Sequence, residues 1–147
     1  MIEDNNHVVN FIEIHEDAQL PFKATKDSAC SDIYSVETVD ILPGKTKLIS
    51  TGLKVAHIPK GYKLEIYDRS GFRAKGIFGS SVGIIDSDYR GELKVILFNS
   101  NDKPFQINSK DRIAQVALKK VEPVSYEFSE TFEETDRGEG GFGSTGK

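Results

Sequence analysis

Apolar and polar residues alternate with a period of two along several short stretches of the chain. Leu93, Val95 and Leu97 lie on one face of a predicted strand, and the residues between them lie on the other face. The same alternation recurs in three further stretches: 62–67, 105–107 and 116–118. Because successive side chains of a strand point to opposite faces, this period predicts β-strands. A 3.6-residue period, which would indicate a helix, is not sustained over a helical length.

Turn-forming residues separate these stretches. They occur as Leu-Pro-Gly at 42–44, Ile-Pro-Lys-Gly at 58–61 and Asn-Ser-Asn-Asp at 99–102. Proline and glycine favour the backbone angles of tight turns. Many short strands at this spacing are typical of an all-β sandwich or barrel. One short helical turn is predicted after Ser70, because Gly76 soon interrupts it.

The character of the chain changes after residue 121. Residues 122–136 carry six acidic residues and no basic one, with Tyr126, Phe128 and Phe132 as apolar anchors. Residues 137–147 are rich in glycine, which predicts either a disordered tail or an arm that becomes ordered on a ligand. We therefore expect a β-domain over 1–136 and a flexible arm over 137–147.

Composition excludes several classes of protein. A length of 147 residues favours a single domain. Nineteen basic against 23 acidic residues give a net charge of −4, which argues against a nucleic-acid binder. The sequence lacks a run of about 20 apolar residues, and its first residues lack the basic start and apolar stretch of a secretory signal, so we expect neither a membrane span nor secretion. Cys30 is the only cysteine, so we expect no disulfide and a cytoplasmic location, or a nuclear one in a eukaryotic or viral setting.

Five segments carry side chains suited to phosphate or base chemistry. Two of them precede or form strands, at 29–33 and 111–115, where the simplest roles of the charged residues are solvation and local ion pairing. In Arg69-Ser70-Gly71, a helix cap at Ser70 would leave backbone amides free for an anion. Residues 83–92 predict a β-hairpin in which Asp86 is either a general base or an ordinary turn former.

The glycine-rich tail is the fifth segment. Its small residues allow backbone N–H groups to form an anion-binding nest, and Ser144 and Thr145 add hydroxyl donors. Arg137 offers a charged fork for a phosphate. Phe142 is flanked by glycines and could stack on a planar base. Together these residues indicate a lid over a nucleotide.

The order and spacing of the five segments resemble the five motifs of the trimeric dUTPases. The resemblance runs from Ala29 to Gly146. It implies an all-β, jelly-roll-like fold of the β-clip type that assembles as a homotrimer with three active sites between subunits. The implied reaction is dUTP + H2O → dUMP + diphosphate with Mg²⁺, which keeps uracil out of DNA and supplies dUMP for thymidylate synthesis. The 137–147 arm would close a neighbouring subunit's site.

The resemblance also implies roles for individual residues. Asp86 would deprotonate the attacking water, Arg69 would add positive charge, and Asp32 would orient Mg²⁺ through water. The remaining residues would bind the triphosphate, the sugar or uracil: Ser70, Gly71, Ser80, Gly83, Ile84, Ile85, Tyr89, Gln115, Arg137, Phe142, Gly143, Ser144 and Thr145.

Five positions depart from the common family pattern. Cys30 stands where glycine is usual and would be strained if that position needs a positive φ, and Ser31 stands where a larger apolar residue is usual. Asp68 replaces a frequent proline, which is expected to loosen the turn and to add negative charge. Lys110 replaces a usual glycine, and Ser80 stands where many relatives carry asparagine.

Two other functions remain open from the sequence. A dCTP deaminase shares the fold but needs a carboxylate at the base, for which Glu92 is the nearby candidate. A catalytically silent dUTP sensor or partner-binding protein is the second alternative. The acid, arginine and serine set favours the hydrolase over both.

Overall fold

Ten strands and one helical turn make up the computed structural model, which describes residues 6–79, 81–144 and 146. The helical turn α1 spans Ser70–Ala74. The strands are β1 (Asn10–Glu13), β2 (Ser31–Tyr34), β3 (Val39–Ile41), β4 (Thr46–His57), β5 (Tyr62–Tyr67), β6 (Ile77–Phe78), β7 (Gly83–Ile85), β8 (Glu92–Asn99), β9 (Phe105–Ile107) and β10 (Arg112–Lys120). The predictions of an all-β fold and of one short helical turn following Ser70 are confirmed.

The strands form three antiparallel sheets. Their strand orders are β1-β4-β8-β6, β2-β10-β5-β7 and β3-β9. Buried side chains from all three sheets meet in one hydrophobic cluster, so the sheets enclose a common core, consistent with the jelly-roll-like architecture. None of the helical residues described forms a segment long and apolar enough to cross a membrane.

The alternation seen in the sequence corresponds to the two faces of β8. Leu93, Val95 and Leu97 are at most 3% exposed, whereas Ile96 is 54% exposed on the opposite face. Strands β9 and β10 also bury side chains in the core, among them Ile107 and Val116. Burial of one face against the other sheets is what stabilises each strand.

Strand β4 is long, and its burial pattern does not alternate regularly. Its pairing with β8 shifts register between Ser50 and Lys54, which is a β-bulge. Gly52 lies in the bulge with a φ of +71°. A Cβ atom at this position would lie 2.8 Å from the Cβ of His15. The bulge therefore needs glycine both for its backbone angle and for the close approach of the N-terminal segment.

The predicted hairpin over residues 83–92 is wrong. β7 pairs with β5, whereas β8 pairs with β4 and β6, so the two strands lie in different sheets. Residues 86–91, named here the crossover turn, connect them. Within it the backbone N–H of Tyr89 donates to the carbonyl of Asp86 at 3.1 Å, and the Tyr89 hydroxyl donates to the carbonyl of Glu92 at 2.8 Å. β7 joins β5 because Ile85 packs against the core beside Leu64.

Candidate functional site

Three of the predicted segments meet at the carboxylate of Asp32. This residue lies on β2 opposite Gln115 of β10. The Nε of Arg69 donates to Asp32 Oδ1 at 3.0 Å, and an amino nitrogen of Arg112 lies 3.6 Å from Oδ2. A second nitrogen of Arg69 donates to the carbonyl of Arg112 at 3.2 Å. Two guanidinium groups and one carboxylate leave one excess positive charge, which suits a polyanion.

The side chain of Gln115 ties β10 to the turn that precedes α1. Its Nε2 donates to the carbonyl of Asp68 at 2.8 Å. Since a primary amide carries two N–H groups, the other remains available to a ligand. The helical turn itself is held by Phe72, whose ring packs edge-on against Phe105 with centroids 5.5 Å apart.

Ser70 and Gly71 are exposed at the start of α1. The cap expected at Ser70 is instead Arg69, which has extended backbone angles and makes no side-chain capping bond. The carbonyl of Arg69 accepts from the N–H groups of Phe72 and Arg73. The guanidinium of Arg69 is therefore directed to Asp32 while its backbone begins the helical turn. The Ser70 hydroxyl lies on the exposed surface beside this cluster.

A second group of predicted residues lies on β7 and in the crossover turn. Asp86 and Tyr89 line a cavity of about 280 Å³ together with Ile84 and Ile85. None of the phosphate-binding candidates Asp32, Arg69, Ser70 and Gln115 lines this cavity. β7 is the last strand of its sheet, so one edge of Gly83–Ile85 faces away from β5. Backbone donors and acceptors on that edge are in position to read a flat heterocycle.

Among the described residues, no side chain of the predicted arm makes a hydrogen bond or an ion pair with either group. The Nε of Arg137 donates to the carbonyl of Gly140 at 2.8 Å, and Phe142 is completely exposed with a φ of +52°. Gly143 and Ser144 are exposed as well. Thr145 and Ser80 lie outside the described residues, and their roles stay predictions. Within the described part, the arm contributes no side chain to the Asp32 cluster.

Sequence reasoning missed Arg112 and the environment of Tyr67. The sequence predicts local ion pairing for Arg112, but its partner Asp32 lies 80 positions earlier in the chain. The antiparallel pairing of β2 with β10, detectable only from the fold, brings them together. Tyr67 faces Gln115 across the strands and its hydroxyl donates to Glu65. This hydrogen bond is the main cause that raises the pKa of Tyr67 and lowers that of Glu65.

The comparison with family models decides what these segments belong to. A model described as dUTPase matches residues 16–146. The chain belongs to the dUTPase family. A relative from Nautilia profundicola, named deoxyuridine 5'-triphosphate nucleotidohydrolase, is 44% identical over 137 residues, covering 92% of this chain and 96% of the relative.

Two solved dUTPase structures share the fold. The Staphylococcus bacteriophage 80alpha dUTPase with dUPNHPP has a TM-score of 0.85 and 27% identity, covering 95% of this chain and 99% of the phage chain. A mutant dUTPase from phage phi11 of S. aureus, studied for the coordination of a structural Mg(II) ion, has a TM-score of 0.78 and 25% identity, covering 86% and 99%.

Backbone angles differ from expectation at the positions where the sequence departs from the expected motif pattern. Among the described residues other than glycine, only Lys110 and Phe142 have a positive φ, so the strain expected at Cys30 falls instead on Lys110, at +71°. The N–H of Lys110 donates to the carbonyl of Ser35 at 2.7 Å, which holds this angle. Its Nζ lies 3.2 Å from Asp17. Hydrogen bonds from Ser109 and then Lys110 lower the pKa of Asp17.

Asp68 does not loosen its turn. Its Oδ1 accepts from the backbone N–H of Gly79 at 2.8 Å, and its Oδ2 lies 3.7 Å from Arg73. The carboxylate therefore holds the turn before α1 against the end of β6. The added negative charge has a cationic neighbour in Arg73.

Glu92, the carboxylate that a deaminase would require, is engaged in structural contacts. Its Oε1 accepts from the backbone N–H of Gly52 in the β-bulge at 3.0 Å. Its Oε2 lies 3.5 Å from Nζ of Lys94. A proton-shuttling role for Glu92 would have to break its hydrogen bond with Gly52, which holds the bulge. This geometry therefore favours the dUTPase interpretation over the deaminase.

The residues described fit a magnesium ion held through water. They contain no group of three or more His, Cys, Asp or Glu side chains that could hold a metal directly. Mg²⁺ usually keeps several waters and binds through one or two carboxylates plus substrate phosphates. Each oxygen of Asp32 has one guanidinium neighbour and retains a further lone pair for a metal-bound water.

Proposed function

We propose that the chain hydrolyses dUTP to dUMP and diphosphate by in-line attack of water on the α-phosphorus. This proposal rests on the convergence of Arg69, Gln115 and Arg112 around Asp32. Together with Asp32, these side chains come from three motifs that lie far apart in the sequence, at 29–33, 69–71 and 111–115. The cluster provides positive charge and amide donors for a triphosphate. Phosphoryl transfer depends mainly on positioning and electrostatic stabilisation, which such a cluster supplies.

The individual roles follow from the side-chain chemistry. Asp86 orients the attacking water and accepts its proton as the bond to the α-phosphorus forms and diphosphate leaves. The hydroxyl of Ser70 donates to a phosphate oxygen beside the bond that breaks, and Arg69 offsets the charge that develops there. Gln115 uses its free N–H on the triphosphate.

Asp32 would hold Mg²⁺ as an outer partner through metal-bound water. When bound, the ion supplies neutralisation of phosphate charge. Arg69 and Arg112 hold the Asp32 carboxylate in a fixed orientation, because each guanidinium lies beside one of its two oxygens. This arrangement needs no further carboxylate in the same chain.

We further propose that the active sites are shared among the subunits of a homotrimer. Two observations support this assembly. The cavity lined by Asp86 is separate from the Asp32 cluster, so one chain offers two half-sites. Residues 121–136 lie entirely on the surface, and Tyr126, Phe128 and Phe132 are at least 88% exposed, which is unusual for large apolar side chains without a partner.

In this assembly, residues 1–136 form the β-domain and 137–147 form an arm that closes a neighbour's site. Arg137 and Ser144 would grip the terminal phosphate, and Phe142 would cover uracil. All three residues are exposed in the single chain, which leaves them available for that role. Glycines in the arm permit the backbone angles that bring successive N–H groups onto a phosphate.

Uracil specificity would come from the free edge of β7. Backbone groups at Gly83–Ile85 complement O2, N3–H and O4 of uracil, while Tyr89 packs against the deoxyribose. Cytosine reverses two of these polarities and would leave buried groups unpaired, which in comparable sites costs about 10⁴-fold or more in kcat/KM. We expect a preference for dUTP over dCTP, dTTP and UTP.

Asp86→Asn tests the assignment, with the exposed Asp102→Asn as the matched control. We expect Asp86→Asn to lower the rate of diphosphate release by at least about 100-fold, while dUTP binding and trimer mass by light scattering stay unchanged. Asp102→Asn should retain full activity. Undiminished hydrolysis by Asp86→Asn would refute the assigned base.

The same assay separates the alternatives. Release of ammonia from dCTP without diphosphate would identify a deaminase. Binding of dUTP by the wild-type chain without any product would identify a silent sensor. Either result would overturn the proposed function.

A further inference from the structure

Asp68 contacts three segments: the end of β6, the helical turn α1 and strand β10. Its carboxylate accepts from Gly79 and lies beside Arg73, and its carbonyl accepts from the side chain of Gln115. The side chain is only 16% exposed, so the bond to Gly79 is largely shielded from water.

The backbone at Gly79 approaches Asp68 closely. A Cβ at position 79 would lie 3.0 Å from Oδ1 of Asp68 and 3.3 Å from the carbonyl of Ile96 on β8. The absence of a side chain at Gly79 thus permits the hydrogen bond. The bond joins the end of β6, in the β1-β4-β8-β6 sheet, to the turn between β5 and α1. It therefore links two different sheets, because β5 belongs to the β2-β10-β5-β7 sheet.

Asp68 also borders the strand that is proposed to read the base. It lines a cavity of about 220 Å³ together with Gly79, Ser81 and all three residues of β7. β7 has only three residues and pairs with β5 alone, so its position depends on what lies beside it. The carboxylate therefore lies near β7, and Gly79, which it holds, precedes the first residue of β7 by only four positions.

We propose that Asp68 is a positioning residue for base selection: by holding Gly79 it sets the position of β7, and with it the discrimination between dUTP and dCTP. The proposal rests on the function proposed above. Backbone readout requires donors and acceptors to stay in line with the base edge. If the carboxylate is removed, the Gly79 N–H loses its acceptor and that segment rearranges to find another.

Asp68→Ala and Asp68→Asn form the test pair, and Asp102→Ala is the control for loss of an exposed carboxylate. The measured quantity is kcat/KM for dUTP divided by that for dCTP, at a temperature well below each variant's unfolding midpoint. We expect Asp68→Ala to lower this ratio about tenfold, since one shielded hydrogen bond has that order of effect. Asp68→Asn retains an oxygen acceptor and should keep the wild-type ratio.

Gly79→Ala provides a second route to the same bond if Asp68→Ala fails to fold. Its Cβ displaces the carboxylate and should lower the ratio in the same way. An unchanged ratio in Asp68→Ala or Gly79→Ala, or an equal loss in Asp68→Asn, would overturn the role of Asp68. Failure of the wild-type chain to release diphosphate from dUTP would instead overturn the proposed function, so the two failures are distinct.

Discussion

Lys110 offers a quantitative test of backbone strain. Its φ of +71° lies in the left-handed region, which costs a residue with a side chain about 1–2 kcal/mol. Glycine avoids that cost but loses about 0.4–1 kcal/mol through the greater freedom of its unfolded chain. We therefore expect Lys110→Gly to be more stable than Lys110→Ala by about 1 kcal/mol.

Lys110→Ala is the necessary comparison because both variants lose the ion pair with Asp17. The pair joins an exposed ammonium to a half-exposed carboxylate and contributes little, but it would confuse a comparison with the wild type. The difference between glycine and alanine then isolates the backbone angle. The hydrogen bond from the N–H at position 110 to Ser35 is retained in both variants.

Urea unfolding at a fixed protomer concentration measures this difference, since the stability of an oligomer depends on concentration. The m-values should agree and the glycine variant should unfold at higher urea. In thermal unfolding the gap corresponds to about 2–4 °C for a chain near this size. Equal stability of the two variants, or a more stable alanine variant, would show that the left-handed angle is not strained here.

Two further changes test packing and ionisation. Gly52→Ala places a Cβ 2.8 Å from His15 in the bulge, whereas Gly61→Ala, at a similar positive φ, meets nothing within 4 Å. Urea unfolding should show a loss of about 2–4 kcal/mol for Gly52→Ala but only about 1–2 kcal/mol for Gly61→Ala, and equal losses would contradict the packing argument. In Tyr67→Phe, the hydrogen bond to Glu65 is lost. Because the folded pKa of Tyr67 is raised above 10.0, its stabilisation is present below that pH and is lost as pH rises through the folded value. The lowered pKa of Glu65 makes the same bond weaken as pH falls through its folded value, below 4.5. The wild type should therefore exceed Tyr67→Phe in urea midpoint near neutral pH and converge with it at both extremes; a constant difference would refute this.

Much of the fold follows from local pattern. Strand β8 has one buried and one exposed face, so Leu93, Val95 and Leu97 indicate it directly, and the helical turn after Ser70 ends before Gly76 as its sequence suggests. Strand β4 cannot be predicted from local alternation. Its bulge at Gly52 breaks the period of two, and the break depends on contact with the N-terminal segment, which no local window contains.

The site divides in the same way. Asp32, Arg69 and Gln115 are identifiable because each lies in a recognisable motif. Arg112 requires knowledge of which strands are neighbours, because its partner lies on β2. The hairpin expected at 83–92 failed for a related reason: alternation predicts two strands and a turn, but only the core decides which sheet each strand joins.

The bond between Asp68 and Gly79 changes how this turn can vary over evolution. A proline restricts its own backbone through its ring and needs no particular neighbour for that. Asp68 restrains the turn only while residue 79 is small enough to approach and offers its N–H. Substitutions at these two positions are therefore interdependent: a side chain at 79 that would be tolerated beside proline becomes harmful beside aspartate. A proline would restrain this turn through one residue alone, whereas the restraint from Asp68 depends on two residues.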